Sequence, residues 1–406
     1  MKILKNLGPG VLIAAAFIGP GTVTVCTIAG AKYGFVLLWA MVFSIVATII
    51  LQEMAARLGL VANKSLAQAV RDELPNPVLK WFALLLILSA ILVGNAAYEA
   101  GNISGGVLGL ETLWQQAHVS IGQLQLNYFS LAIGILAFMV LYVGNYKVIE
   151  TALVTLVILM SLAFVMTAII TNPNLLSVVR GLFVPSLPTG SLLIVVALIG
   201  TTVVPYNLFL HASLVREKWQ GAQDLSKART DTIVSIIGGG IVSMAIIISA
   251  AAIGDAEIGS AADLAKGLEP LFGSYAKYLL ATGLFSAGIT SAITAPLAAA
   301  YVAAGCLGWQ VKLKSKQFRM VWILVLLLGV VFSSVGFKSI EVIKFAQIAN
   351  GLLLPFMAIF LIWIVNKKKV LGGHVNSRNQ NIMATIIILI TLGLGIKTLG
   401  SVFGFL

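Results

Sequence analysis

Long apolar runs separated by short polar connectors dominate the chain. Eleven runs can be drawn, and ionised side chains are nearly absent from them. About 20 apolar residues span a bilayer as an α-helix, and helices satisfy their own backbone in lipid. The pattern therefore predicts an all-α membrane protein with 11 transmembrane helices. The predicted spans, numbered 1 to 11, cover residues 10–31, 34–56, 80–107, 125–143, 148–170, 190–213, 231–253, 271–305, 319–335, 340–366 and 382–404.

The overall composition agrees with this pattern and removes several classes of protein. Of the 406 residues 59% are hydrophobic and only 10% are charged, whereas soluble domains carry about 25% charged residues. A soluble enzyme, a disordered chain and an extracellular disulfide module are all excluded. The two cysteines, Cys26 and Cys306, both fall inside apolar runs, and we interpret them as small buried hydrophobes.

The positive charge is distributed in a way that predicts the orientation of the spans. A net charge of +12 would suggest nucleic acid as the partner of a soluble chain. With the N-terminus inside the cell, however, 19 of the 26 Lys and Arg residues fall in cytoplasmic segments. This is the positive-inside bias of membrane proteins. It predicts a cytoplasmic N-terminus and an outer C-terminus, and we expect the protein in the cell membrane.

Two spans carry matching interruptions. Span 1 contains Gly19-Pro20-Gly21-Thr22, and span 6 contains Val203-Val204-Pro205-Tyr206-Asn207. Pro20 and Pro205 each remove a backbone donor, Gly21 tolerates unwound dihedrals, and such backbone persists in a membrane where it lines a cavity. Because spans 1 and 6 each open a run of five, the pattern favours an inverted repeat of five plus five. Two independent proline kinks are the alternative.

The residues around these breaks resemble the Nramp family of divalent-metal transporters. The likeness rests on Gly8-Pro9-Gly10, Gly19-Pro20-Gly21-Thr22, Gln52-Glu53-Met54-Ala55-Ala56-Arg57-Leu58-Gly59 and Val204-Pro205-Tyr206-Asn207-Leu208-Phe209-Leu210-His211, with Leu354-Pro355-Phe356 on span 10. The resemblance implies a LeuT-type 5+5 inverted repeat plus one extra helix, in a single transporter domain. Repeat one would cover about 10–170, repeat two about 190–366, and the extra helix about 382–404.

The resemblance also implies a substrate site at the two breaks. The positions that match the family's binding residues are Ala16, Gly19, Thr22, Thr201, Val204, Asn207 and Gln347. Typical members have aspartate where Gly19 stands and asparagine where Thr22 stands. They have methionine at Val204 and histidine at Tyr206. If the substrate is a metal ion, the same positions would hold it.

The chemistry of these residues leaves the substrate open. Their side chains are neutral, whereas a dication that has lost its water usually needs carboxylate, sulfur or imidazole. A partly hydrated divalent cation such as Mg²⁺ is one candidate. A small organic solute with an anionic group is the alternative, because the exposed N-terminus of a half-helix in span 6 would favour it. A sensor that does not transport is a third reading.

Glu99 is the carboxylate that lies well inside a span. Ionisable groups there usually mark a pathway or a proton relay, although Glu99 could instead be a structural partner of a nearby donor. The resemblance places a second acid where Asn102 stands, so we predict weak or absent proton coupling. His211, six residues after the break, is assigned either a structural or a gating role.

Motifs for other functions are missing from the sequence. There is no Gly-rich phosphate loop with Lys and Ser or Thr, so a nucleotide is not expected to drive transport. The sequence also lacks the residue sets typical of an enzyme, and we expect neither a cofactor nor a nucleic-acid partner. The expected partners are a divalent metal ion as substrate and the lipid bilayer. The resemblance implies alternating access, with spans 1, 2, 6 and 7 moving against spans 3, 4, 8 and 9.

Overall fold

A computed structural model describes residues 18–114, 118–121, 124–144 and 147–404, and these residues are mostly helical. Spans 1 to 5 contain the helices Pro20–Tyr33, Leu38–Ala62, Pro77–Glu111, Tyr128–Val143 and Lys147–Ile170. Span 6 consists of two helices, Leu192–Thr202 and Pro205–Lys218. Spans 7 to 11 contain Leu225–Ala251, Ala276–Leu307, Lys316–Ser334, Ser339–Val365 and Arg378–Val402. The part of span 1 before residue 18, including Ala16, lies outside the described residues.

These helices agree with the predicted spans. In the described part of the chain, 9 helical segments are long and apolar enough to cross a membrane by length and composition. Span 4, Tyr128–Val143, is a shorter apolar helix. Span 1 contributes a helix of 14 residues that begins at its proline. All eleven predicted apolar runs therefore contain helix.

Short elements fill the connectors. Strand β1, His118–Ile121, pairs antiparallel with β2, Leu124–Asn127, and this hairpin is the only sheet among the described residues. The short α-helices are Leu66–Glu73, Leu175–Phe183, Ala261–Ala265, Glu269–Phe272 and Lys368–Leu371. Single 3-10 turns cover Ala222–Asp224, Lys266–Leu268, Gly273–Tyr275 and Gly372–His374.

The predicted end of span 2 at residue 56 is wrong. The helix continues to Ala62, and Arg57, which lies just beyond the predicted end of the span, is only 2% exposed. Arg57 forms a salt bridge of 3.2 Å with Glu53, one helical turn earlier. A paired charge can remain inside a helix bundle where an isolated one would not.

Backbone contacts at glycines bring the helices together. A side chain at Gly109 of span 3 would strike the carbonyl oxygen of Ala281 on span 8, and Gly106 lies against Gly288. Gly30 of span 1 lies equally close to the Ile247 carbonyl of span 7. Small residues allow such approach where lipid supplies no hydrophobic driving force between helices.

The second half of span 6 is held along span 2 by contacts at three levels. Nδ1 of His211 and Oε1 of Gln52 are 2.7 Å apart. Further along, Gly59 packs directly on the backbone of the second half-helix, and Arg216 donates a hydrogen bond to the carbonyl of Asn63 at 3.0 Å. These two helices therefore form one unit, which fixes the break in span 6 relative to span 2.

Candidate substrate site at the broken spans

The interruption of span 6 lies at two residues. Val203 (φ −92°, ψ 70°) ends the first helix, and Val204 (φ −75°, ψ 122°) precedes Pro205, the first residue of the second. The backbone N–H of Val203 still donates to the Ile199 carbonyl at 2.9 Å. The last carbonyls of one half-helix and the first N–H groups of the other lack partners within their helix. The predicted break is therefore present and offers both kinds of backbone group.

The described helix of span 1 begins at Pro20. Gly19 is extended (φ −97°, ψ −176°) and provides no side-chain cap, and residues 18–19 form a bend. The Pro20 ring packs directly against Gly105 of span 3, where a Cβ atom would collide with it. This contact sets the distance between span 3 and the interruption.

Gln347 of span 10 lies between the two broken spans. Its side-chain amide occupies the space beside Gly21, and its backbone carbonyl touches Gly200 near the end of the first half-helix of span 6. Either glycine would collide with Gln347 if it carried a Cβ atom. The structure thus brings the predicted residues Gly21 and Gln347 together, and places both next to the helix end that carries Thr201.

Several polar side chains near the breaks are buried and unpaired. Both amide atoms of Asn207, Oε1 of Gln347, Nδ2 of Asn350 and Oγ1 of Thr24 have no hydrogen-bond partner among the described residues. Asn207 is fully buried, and Gln347 is 1% exposed. Buried polar groups usually find a partner, so these atoms are donors and acceptors that a substrate or water at the breaks could meet.

The hydroxyl groups of the predicted site are buried as well. Thr22 and Thr201 are each 1% exposed. The Thr201 hydroxyl donates to the Leu198 carbonyl at 2.9 Å and lies 3.3 Å from the Thr202 hydroxyl. The hydroxyl oxygens of Thr22 and Thr201 can still accept a hydrogen bond or coordinate an ion, because a hydroxyl has two lone pairs.

Tyr206 meets a residue that sequence reasoning missed. Its ring lies edge-on to that of Tyr98 on span 3, with centroids 5.5 Å apart, and Val204 beside it is fully buried. Tyr98 shares one helix face with Gly101, which contacts Ala346, and with Gly105. The spacing of residues 98, 101 and 105 is the signal that could have identified this face.

Glu99 points to a different part of the bundle. Its side chain packs against Gly329 of span 9, where a Cβ atom would lie 2.8 Å from the Cβ of Glu99. Nδ2 of Asn102 donates to Oε2 of Glu99 at 3.3 Å, and Oε1 has no partner among the described residues. The structure therefore pairs Glu99 with Asn102, but on the face of span 3 adjacent to the one that contacts spans 1, 6 and 10.

Known proteins are similar to this chain in sequence and in the arrangement of helices. The model of the family described as Natural resistance-associated macrophage protein-like matches residues 10–401. The chain belongs to the Nramp family. Its members are transporters rather than enzymes, and they are integral membrane proteins. The resemblance drawn from the motifs is confirmed.

Two curated relatives of this Nramp chain carry the name divalent metal cation transporter MntH. The protein from Bacillus subtilis is 25% identical over 404 residues, which are 97% of this chain and 91% of the relative. The protein from Yersinia pestis is 24% identical over 402 residues, or 96% of this chain and 93% of the relative. Both similarities extend across nearly the whole Nramp chain.

Solved structures confirm the fold of the Nramp chain. A point mutant of the Eremococcus coleocola manganese transporter has a TM-score of 0.76 at 20% identity, covering 98% of this chain and 87% of that one. MhsT in complex with L-phenylalanine has a TM-score of 0.63 at 14% identity, covering 95% and 98%. The predicted LeuT-type arrangement is thereby confirmed.

The donor set of this Nramp chain is unusual for a metal site. No group of three or more His, Cys, Asp or Glu that could hold a metal occurs among the described residues. The breaks offer carbonyl, hydroxyl and amide oxygens, which are hard and neutral donors. Such donors suit a hard cation that keeps part of its water better than a soft, dehydrated one.

Proposed function

We propose that this Nramp protein is a secondary transporter that carries a divalent cation between the breaks of spans 1 and 6. The MntH relatives and the manganese transporter support a divalent metal as cargo. The observation that carries the proposal is the buried, unpaired amide of Asn207 in the first turn after one break. The unpaired Oε1 of Gln347 supports the proposal as well, because the amide group of Gln347 lies beside Gly21 at the other break.

The cation is held with part of its hydration shell. Neutral oxygens cannot replace six tightly bound waters of Mg²⁺, which dehydrates reluctantly and usually keeps several of them. The C-terminal end of Leu192–Thr202 adds partial negative charge where carboxylates are missing. Mg²⁺ therefore fits this site better than Mn²⁺, which in a typical member would be met by aspartate and methionine at the positions of Gly19 and Val204.

Transport proceeds by alternating access between two groups of spans. Glycine contacts fasten spans 1 and 7 (Gly30 to Ile247) and spans 2 and 7 (Gly240 to Ile45). A second set fastens spans 3, 4, 8 and 9, through Gly109 to Ala281, Gly106 to Ile133 and Gly134 to Val330. Each group is held together by close packing at glycines, so each can move as one body against the other.

Coupling to protons is weak or absent. Glu99 faces span 9 and has the neutral Asn102 as its partner, so a relay from the substrate site lacks a second acid. Glu99→Gln should leave the pH dependence of uptake unchanged. Acidification of the vesicle lumen that accompanies uptake in the parent protein and disappears in this variant would refute the absence of coupling.

The orientation follows from the charge distribution. The proposal places the protein in the cell membrane with the N-terminus in the cytoplasm and the C-terminus outside, because 19 of 26 basic residues, counting the buried Arg57, then lie toward the cytoplasmic side. An epitope after Leu406 should be reached by antibody on intact cells. Staining that requires permeabilised cells would reverse the assignment.

An anionic organic solute is the second candidate. The observation in its favour is the helix that starts at Pro205, because its first N–H groups and dipole attract negative charge, and Gly19 supplies no opposing carboxylate. MhsT, which shares the fold, was solved in complex with an amino acid.

Uptake into proteoliposomes separates the two candidates. Mg²⁺, Mn²⁺ and Ca²⁺ are tested at millimolar concentration beside a panel of amino acids and small organic acids. Saturable uptake of a divalent cation is expected, and uptake of organic solutes alone would overturn the metal assignment. Gly19→Asp should add Mn²⁺ binding, with Gly19→Asn as the uncharged control of nearly equal size.

A further inference from the structure

The helix Leu175–Phe183 lies in the connector between spans 5 and 6 and is too short to cross a membrane. It begins after Asn174, whose side-chain oxygen accepts a hydrogen bond from the N–H of Ser177 at 3.1 Å. Successive residues of a helix are rotated by about 100°. This rotation sorts the nine residues of the helix into three separate sectors.

The first sector faces the protein. Val178 and Leu182 pack against the core, and Gly181 is buried. A Cβ atom at Gly181 would collide with the carbonyl oxygen of Phe35 in the turn between spans 1 and 2. The helix is therefore fixed to the bundle along one side.

The second sector is apolar and uncovered. The exposed fractions are 74% for Leu175, 79% for Leu176, 51% for Val179 and 73% for Phe183. The end of span 5, a few residues earlier in the chain, is also apolar and uncovered, with Ile169 72% and Ile170 51% exposed. The third sector, about a third of the circumference, holds Ser177 and Arg180, both exposed.

We propose that this helix lies in the plane of the membrane and contacts the acyl chains of the adjacent leaflet with Leu175, Leu176, Val179 and Phe183. The three sectors match the three surroundings of such a helix, which are protein, hydrocarbon and the water-facing headgroup layer. Residues 171–174 alone separate this helix from the exposed apolar end of a membrane span, and this proximity identifies the occupant as lipid. The proposal depends on the membrane location of the chain and is independent of its cargo.

The helix and the connector after it contact the segment where span 1 ends and span 2 begins. Gly181 rests on Phe35, two residues after span 1 ends at Tyr33. Further along the connector, the indole N–H of Trp39 donates to the carbonyl of Ser186 at 2.9 Å, shortly before span 6 begins at Leu192. The helix thereby contacts the turn that follows span 1, and the connector after it is fastened to span 2 just before span 6 begins.

Fluorescent labels at neighbouring positions test the proposal. Cys26 and Cys306 are replaced by alanine, and Leu176→Cys or Ser177→Cys is added as a matched pair. Each variant is checked by size exclusion, labelled with an environment-sensitive fluorophore and reconstituted with lipids brominated on their acyl chains. The label at position 176 should emit at shorter wavelength and be quenched several-fold more strongly than the label at 177.

Two results would overturn the proposal. Equal quenching and water-like emission at both positions would place the apolar sector in water. Energy transfer between labels at position 176 that persists when the protein is diluted in lipid would show that a second copy of the chain covers the sector. Stronger quenching by bromines near the headgroups than by bromines near the chain ends would support the interfacial depth.

Discussion

The guanidinium group of Arg57 donates a hydrogen bond to the backbone carbonyl of His374 at 2.8 Å. The same group pairs with Glu53 and donates to the side chain of Asn376. Glu53 also accepts from Arg229 at 2.8 Å. One cluster of charges, buried at Arg57 and exposed at Arg229, thus joins span 2, the start of span 7 and the connector between spans 10 and 11.

Removal of Arg57 should destabilise the protein strongly. Arg57→Met keeps most of the side-chain volume but leaves Glu53, which is 12% exposed, without one of its two cations. Breaking a buried ion pair costs about 3–5 kcal/mol. Unfolding in detergent measures the loss. Arg378→Met, at an exposed cation, is the control and should change stability by less than about 1 kcal/mol; equal effects of the two variants would contradict the cluster's role.

A methyl group at Gly200 should abolish uptake. In Gly200→Ala the added Cβ collides with the carbonyl oxygen of Gln347 and separates spans 6 and 10. Overpacking of this kind costs about 1–3 kcal/mol. Gly238→Ala on span 7 is the matched control, because nothing lies within 4 Å of its Cβ position. Comparable uptake by the two variants would show that the close contact at Gly200 is unnecessary.

The unpaired amide of Asn207 should serve the cargo rather than the fold. Asn207→Leu removes a buried group that has no partner among the described residues, so stability should stay equal or rise while uptake falls at least about tenfold. Asn95→Leu is the reciprocal control. It removes a hydrogen bond of 2.9 Å to the Ala295 carbonyl and should lower stability by about 1–3 kcal/mol. Unfolding and uptake are measured on both, and a stability loss confined to Asn207→Leu would reverse the assignment.

The ion pair between Lys64 and Asp72 should give a small pH dependence of stability. Burial raises the pKa of Asp72. The hydrogen bond from Lys64 at 2.7 Å and the charges of Lys64 and Arg71 lower it by more, so the pKa of Asp72 lies below its usual value. The stabilisation by this ion pair is therefore fully present above the pKa that Asp72 has in the unfolded chain. It is lost as the pH falls through the lower pKa that Asp72 has in the folded protein.

Substitution of Asp72 checks that sign. Asp72→Asn should lose less than about 1 kcal/mol at neutral pH, because both partners are more than a third exposed. The difference from the parent should vanish once the pH has fallen below the lowered pKa that Asp72 has in the folded protein. Asp255→Asn serves as control, since Asp255 is exposed and has no salt bridge in the described part of the chain. A loss that persists in acid would point to something other than the ion pair.

The spans and the break in span 6 were predictable because they depend on local chemistry. Twenty apolar residues need a helix in lipid, and Pro205 cannot continue one. The cluster of Glu53, Arg57 and Arg229 was not predictable, because Glu53 and Arg229 are 176 residues apart. Arg57 was placed outside span 2 because two of its partners, His374 and Asn376, are 317 and 319 residues away in the sequence.

The sequence also could not predict how span 3 is rotated about its own axis. This helix is apolar on nearly all sides, so no polar stripe shows which face meets the site. The structure turns Tyr98 toward Tyr206 and Glu99 toward Gly329. Leu175–Phe183 went unnoticed as well, because nine residues are too few for a span and its apolar residues lie on two faces.

Under the proposed function, fold and cargo recognition are carried by different atoms in this molecule. The helices meet through backbone at Gly30, Gly59, Gly109 and Gly200, whereas the amide of Asn207 supports no neighbour in the described structure. Side chains at the breaks can therefore be exchanged in evolution without loss of the architecture. An ancestral transporter could change its selectivity by single substitutions while its moving parts stayed intact.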